Sequence, residues 1–270
     1  MKRTVDCFCL FVLALFVPAL AFAQAQPAAQ STAQKPAAAS PAAKPKPAAT
    51  AATSSPLLHP ETLKAKAPEV FEAKFVTTKG DFVVQVTRAW APNGADRFYN
   101  LVKRHYYDGN ALFRVVTGFV VQFGLGPNPA INKAWMNASI KDDAVTQSNT
   151  VGYVTYAAGG ANTRTTQVFI NLGNNARLDS YPDHFAPFGI VTSGMDVIKQ
   201  FYAGYADDPT GHQGEITNEG KVYLEKHFPK LDVIKSATII SPAPAPAAPA
   251  KKPAASAAKP AAPSGAAAKP

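Results

Sequence analysis

The chain has 270 residues, 17% of them charged, with a formal net charge of +9 and two cysteines. The charge is uneven: residues 67–240 hold 16 basic and 16 acidic side chains, so the whole excess lies outside them. A segment with no net field argues against nucleic acid as a partner, and cysteines confined to positions 7 and 9 argue against a disulfide scaffold or a thiolate nucleophile.

The opening MKRTVDCFCLFVLALFVPALAFAQ places Lys2 and Arg3 before an apolar run that ends in Ala21-Phe22-Ala23. This reads as a secretory signal peptide over residues 1–23, removing Cys7 and Cys9 and leaving an exported, periplasmic or extracellular protein. The rival is a membrane anchor, but the run contains Pro18 and lacks a basic stop-transfer flank; no membrane span is expected after cleavage. Residues 24–66 and 241–270 are Ala/Pro/Lys-rich and bury too little apolar surface to fold, so both read as disordered tails around a domain at 67–240. The tails could attract anionic envelope polymers or merely aid solubility; the second reading is preferred.

Within the domain, FEAKFVTTKGDFVVQV (71–86) alternates about a Lys79-Gly80-Asp81 turn, predicting a hairpin. Residues 91–109 place Ala95, Phe98, Leu101 and Val102 at helical spacing behind Pro92, predicting an amphipathic helix stopped at Asp108-Gly109. LFRVVTGFVVQFG (112–124) reads as a second hairpin hinged at Thr117-Gly118. Short β-branched or aromatic runs at 152–157, 165–172 and 186–194 predict further strands, 195–204 a second helix, 220–227 a short helix and LDVIKSATII the last strand. Many short strands with two principal helices predict a mainly β domain, a closed or nearly closed antiparallel barrel with helix-covered ends.

Hydrolase and metalloenzyme signatures are missing: there is no G-x-S-x-G, H-E-x-x-H or G-x-x-x-x-G-K. His59, His105, His184, His212 and His227 never pair at ligand spacing, and the glycine-rich 157–167 precedes a strand, not the helix that a phosphate loop needs. Trp90 and Trp135 form no aromatic platform, which weakens a carbohydrate-binding reading. What remains is Arg114 inside an apolar hairpin. An unpaired buried guanidinium is costly, so either Arg114 sits on the wetted outer face or it belongs to a pocket beside Val120 and Gln122, which alternation puts on one face.

At this point the residues carry a resemblance. Leu112-Phe113-Arg114, Gly118-Phe119, Gln122 and Gly124, then Tyr156-Ala157, Gly160, Asn162-Thr163 and Thr166-Gln167-Val168-Phe169-Ile170, then Leu178-Asp179 and Phe188-Gly189-Ile190-Val191, match in order three sequence blocks of the cyclophilin-type peptidyl-prolyl cis-trans isomerases. The chain resembles a bacterial exported form of that family from about residue 71 to 240. The resemblance implies a closed eight-stranded antiparallel barrel capped by two helices, with rotation about X-Pro bonds in exported proteins as the activity. It implies Arg114, Gln122 and Phe119 as catalytic residues, and Val120, Ala158, Asn162, Phe169, Leu178 and Phe185 as substrate-binding ones. Proline-containing polypeptides are the expected partners, no cofactor or metal is required, a monomer is expected, and a permanently charged donor predicts no histidine-like pH profile.

The departures are Phe113 for the family histidine, Val120 for methionine, Ala158 for asparagine, Phe185 for the pocket histidine, and Arg177 for the tryptophan important to cyclosporin binding, which predicts weak affinity for that drug. These changes leave a second reading open, a non-catalytic module that binds proline-containing peptides in the cell envelope. The 205–231 insertion has no role that the sequence reveals.

Overall fold

The computed structural model describes residues 55–181 and 185–241; the expected signal peptide and most of both Ala/Pro/Lys tails lie outside them. Strands β1 (Val70–Thr77) and β2 (Asp81–Thr87) form the first hairpin. Opposed Phe75 and Phe82 stack at 4.8 Å between centroids, a cross-strand pair of the kind that pins register. Helix α1 (Pro92–Lys103) buries Ala95, Phe98, Leu101 and Val102, as the spacing requires. It lacks a local side-chain cap; instead the distant Asp143 carboxylate accepts from the Asn93 and Gly94 N–H groups at 3.0 and 2.9 Å. A carboxylate there satisfies orphan donors and complements the helix dipole. The helix stops six residues short of Gly109, before His105 adopts a left-handed φ of 60°.

The second hairpin is β3 (Arg114–Val116) and β4 (Val120–Phe123), turning at Gly118 with φ 74°. Strands β5 (Tyr153–Tyr156), β6 (Val168–Asn171), β7 (Pro187–Ser193) and β8 (Ile234–Ser241) complete one antiparallel sheet in the order β3-β4-β6-β5-β7-β2-β1-β8. The core inside its curl is aromatic, with Phe71, Phe75, Phe98, Tyr107, Phe123 and Phe188 fully or almost fully buried.

Two fold expectations are corrected. The sheet is an open, strongly curled half-barrel, not a closed barrel: its edge strands β3 and β8 share no ladder. The chain ahead of β3 meets the start of β8 and the residues before it, through the bridge Ala111↔Val233 and the bonds Leu112 N–H to Asp232 O and Gly109 N–H to Ile234 O, at 2.9 and 2.8 Å. With three residues, β3 is too short to extend that seam. The helix expected at 195–204 is a single turn, α3 (Met195–Ile198). Past it, Phe201 is buried and the Tyr202 N–H donates to Asp232 Oδ2 at 2.7 Å, a tertiary contact that draws the chain off the helical path.

Three further helices lie elsewhere. Helix α2 (Pro129–Trp135), which periodicity misses because it is short, is capped by Asn128 accepting from the Ala130 N–H at 2.9 Å. The insertion carries α4 (Gln213–Glu219) and α5 (Lys221–His227), the second near its predicted place. These two bury Ile216, Tyr223 and Leu224 against Ala111, Phe113 and Leu125, forming an apolar cluster separate from the main core.

Candidate active site

Strand register builds the site. Arg114 on β3 pairs with Gln122 on β4, and Gln122 with Phe169 on β6. Directly opposed residues share a face, so these three stand in one row across the sheet. Their neighbours Val115, Val121 and Ile170 join the main core, which puts the row on the outer face. The question about Arg114 is thereby answered by both halves of the alternative: it is on the outer face, and that face holds the pocket. Val120, Phe169 and Leu178 make a small apolar cluster there, with Phe119, Ala157 and Phe185 packed against it.

The cavity has a volume of about 260 Å³ and is lined by Arg114, Phe119, Val120, Gln122, Ala158, Phe169, Leu178 and Phe185, together with Ala157, Thr210 and Gln213. Part of the lining is apolar and suited to a ring the size of proline; the rest includes a guanidinium and two side-chain amides. Arg114 is three-quarters buried, its side chain 25% exposed. Its Nε donates to Asp207 Oδ1 at 2.5 Å and its Nη1 to Gln122 Oε1 at 3.1 Å. The guanidinium carbons of Arg114 and Arg177 both lie 5.2 Å from the Phe119 ring centroid, within cation–π range. With two of its five N–H groups engaged by these partners, Arg114 is held in place and retains donors for a ligand.

Asparagines carry the apolar wall. Asn149 is fully buried; its Nδ2 donates to Phe185 O at 2.8 Å and to Asp179 Oδ1 at 2.9 Å, while its Oδ1 accepts from Thr155 and Asn171. Asn175 Nδ2 donates to Phe119 O at 2.9 Å. The backbones of Phe185 and Phe119 are therefore tied to one polar network, since Asn171 links Asn149 to Asn175. Burial by itself would push the Asp179 carboxyl up, but donors from Ser148 Oγ and from the Asn149 backbone and amide outweigh it and hold Asp179 below the usual carboxylate range.

Of the residues expected at the site, the structure brings together Arg114, Phe119, Val120, Gln122, Ala158, Phe169, Leu178 and Phe185. Asn162 is not among the residues lining this cavity: it is exposed with a left-handed φ of 58°, and its Oδ1 accepts from Asp142 N–H while its own N–H donates to Asp142 Oδ2. Its polar groups organise the neighbouring loop. Sequence reading missed Asp207, Thr210 and Gln213, since they lie more than 80 residues beyond Gln122 within a segment that matches no motif. It also missed Asn149 and Asn175, whose only signal was an unusual density of asparagine beside short strands. Phe113, noted as a departure, belongs to the apolar cluster under α4 and α5.

The family model described as cyclophilin type peptidyl-prolyl cis-trans isomerase/CLD matches residues 73–221. The peptidyl-prolyl cis-trans isomerase cyp18 of Streptomyces antibioticus is 30% identical over 144 residues, covering 51% of this chain and 86% of that protein. A peptidyl-prolyl cis-trans isomerase of Acinetobacter baylyi is 30% identical over 149 residues, covering 54% and 77%. Among solved structures, a cyclophilin type peptidyl-prolyl cis-trans isomerase of Cryptosporidium parvum aligns at 16% identity and a TM-score of 0.47, over 64% of this chain and 98% of that one.

Proposed function

This chain belongs to the cyclophilin-type peptidyl-prolyl cis-trans isomerase family, and we propose that Arg114 is the donor that drives its catalysis, on proline-containing chains exported from the cytoplasm. The activity is the acceleration of rotation about the peptide bond that precedes proline. That rotation crosses a barrier of about 18–20 kcal/mol because twisting destroys amide resonance. In the twisted state the proline nitrogen turns pyramidal and regains a lone pair. A donor aimed at that nitrogen stabilises the transition state more than the planar ground state, which is the requirement for catalysis.

The observation that carries this reading is one cavity of about 260 Å³ whose lining joins the Arg114 guanidinium, bonded to Gln122, to the apolar Phe169, Leu178 and Phe185. A charged hydrogen bond nets about 1.5–3 kcal/mol, whereas bringing exchange from tens of seconds to milliseconds needs about 10⁴-fold, roughly 5.5 kcal/mol. The balance falls to the apolar wall, which holds the proline ring in a water-poor site while one side of the amide turns. Gln122 and the Ala158 backbone are the groups assigned to grip the flanking peptide. The step needs no covalent intermediate.

In a protease-coupled assay on a proline peptide, Arg114→Ala is expected to lose about 10- to 150-fold in kcat/KM, the equivalent of one charged hydrogen bond. An undiminished rate in a folded variant would overturn the assignment. The exported location is supported by the basic-apolar-small pattern of residues 1–23; N-terminal sequencing of the protein recovered from its native envelope tests it, with Gln24 expected first.

A further inference from the structure

We propose that residues 207–213 of the insertion are a clamp for the catalytic side chains, with Asp207 the positioning residue that holds Arg114. This rests on the reading of Arg114 as catalytic donor. Four hydrogen bonds form one continuous path. Asp207 Oδ1 accepts from Arg114 Nε at 2.5 Å, Gln122 Oε1 from Arg114 Nη1 at 3.1 Å, Gln167 Oε1 from Gln122 Nε2 at 2.9 Å, and Gln213 Oε1 from Gln167 Nε2 at 2.8 Å. The path begins and ends in the same short segment, so the insertion brackets the row on the sheet from both sides. Every amide in it points the same way, an arrangement in which each bond polarises the next.

The segment is built to hold that position. Ala206, immediately before Asp207, takes a left-handed φ of 46°, a conformation disfavoured for a residue with a Cβ. The Asp207 carbonyl accepts from both the N–H and the hydroxyl of Thr210, at 2.9 and 2.5 Å, closing a tight turn. Behind it, α4 and α5 dock on Phe113, the residue directly before Arg114. The clamp and the guanidinium thus share one rigid support.

Stability does not explain the pair. The Asp207 side chain is 58% exposed, and ion pairs of that exposure add little to folding. Its effect is on geometry: an arginine has many rotamers, and engaging Nε toward Asp207 and Nη1, on a different edge of the guanidinium, toward Gln122 fixes the plane of the group and with it the direction of Nη2. Gln122 alone fixes one point of the planar group; Asp207 supplies the second.

The test uses the full chain and exchange spectroscopy on an Ala-Pro peptide, which yields the catalysed rate and the dissociation constant separately. Asp207→Ala is expected to slow the catalysed rate about fivefold, the size of one modest hydrogen bond, with the dissociation constant changed less than twofold. Asp207→Asn keeps the acceptor and is expected to retain at least half of the rate. In an Arg114→Ala background, Asp207→Ala should have no further effect, because the group it positions is gone. The inference is overturned if Asp207→Ala turns over at the wild-type rate, if its loss persists undiminished beside Arg114→Ala, or if Asp207→Asn is as impaired as Asp207→Ala. Should Asp207→Ala melt at lower temperature, Gln213→Leu, at the other end of the path, gives the second readout: a wild-type rate there refutes the clamp. A wild-type rate in Arg114→Ala alone would refute the catalytic assignment and not the geometry of the pair.

Discussion

Replacing Asn149 by alanine is expected to unfasten the apolar side of the candidate site from behind and to destabilise the whole domain. The residue is fully buried and its amide has four partners: it donates to Phe185 O and Asp179 Oδ1 and accepts from Thr155 Oγ1 and Asn171 Nδ2. Alanine strands some of these more than others. Asn171 still donates to Tyr153 O, and Asp179 keeps the Ser148 hydroxyl and the residue-149 backbone N–H. The Phe185 carbonyl and the fully buried Thr155 hydroxyl lose this partner. A buried polar group left unpaired costs about 1–3 kcal/mol, so two of them plus the void give about 4 kcal/mol. For a domain of about 170 residues that is roughly 8–16 °C in Tm. Urea unfolding followed by tryptophan fluorescence measures it, with the midpoint falling and the m-value unchanged. Because Phe185 is then untethered, peptide affinity should fall along with stability. A loss below about 1 kcal/mol would show that water or a local shift replaces these bonds, and the pocket wall would have to be held some other way.

Acid should unfold the protein through identifiable carboxylates. Burial raises the Asp96 and Asp179 carboxyls, but Arg88 for the first and the Ser148–Asn149 donors for the second bring both below the ordinary range. Groups depressed in the folded state stabilise it above their unfolded pKa and lose that contribution as pH falls through the folded value; Tm should therefore hold between about pH 5 and 7 and drop below about pH 4, with Asp179→Asn lowering the plateau and flattening the drop. Gly124→Ala is expected to cost several kcal/mol and to depress activity with stability: φ is 123°, and a Cβ would sit 2.5 Å from both Gln167 Cα and Thr166 O, forcing Gln167 away from Gln122. Calorimetry beside the isomerase assay checks it, and wild-type Tm would contradict the close approach of those backbones.

Local signals were enough for the elements whose pattern repeats. Alternation found both hairpins, and the apolar spacing of Ala95, Phe98, Leu101 and Val102 found α1. Alternation also put Val120 and Gln122 on one face beside a lone arginine, whereas Ala158, Phe169, Leu178 and Phe185 came only with the resemblance to the cyclophilin-type family. The short helices α2 and α4 and the ends of α1 and α3 escaped, and tertiary contacts lie at those ends: Asp143 caps α1 from 50 residues away, and Asp232 accepts from the Tyr202 N–H just past α3, whereas α5 was found near its place.

The sequence by itself therefore determined that Arg114, Val120 and Gln122 could share one face of a hairpin, since side-chain chemistry and a period of two are local properties. Only the tertiary structure decided that the sheet stays open at the β3–β8 seam, that Asn162 serves a loop, and that Asp207 and Gln213 reach the row from an insertion nearly 100 residues downstream. Those outcomes depend on which distant donors meet which acceptors once the chain has collapsed, and no periodicity along the chain encodes that.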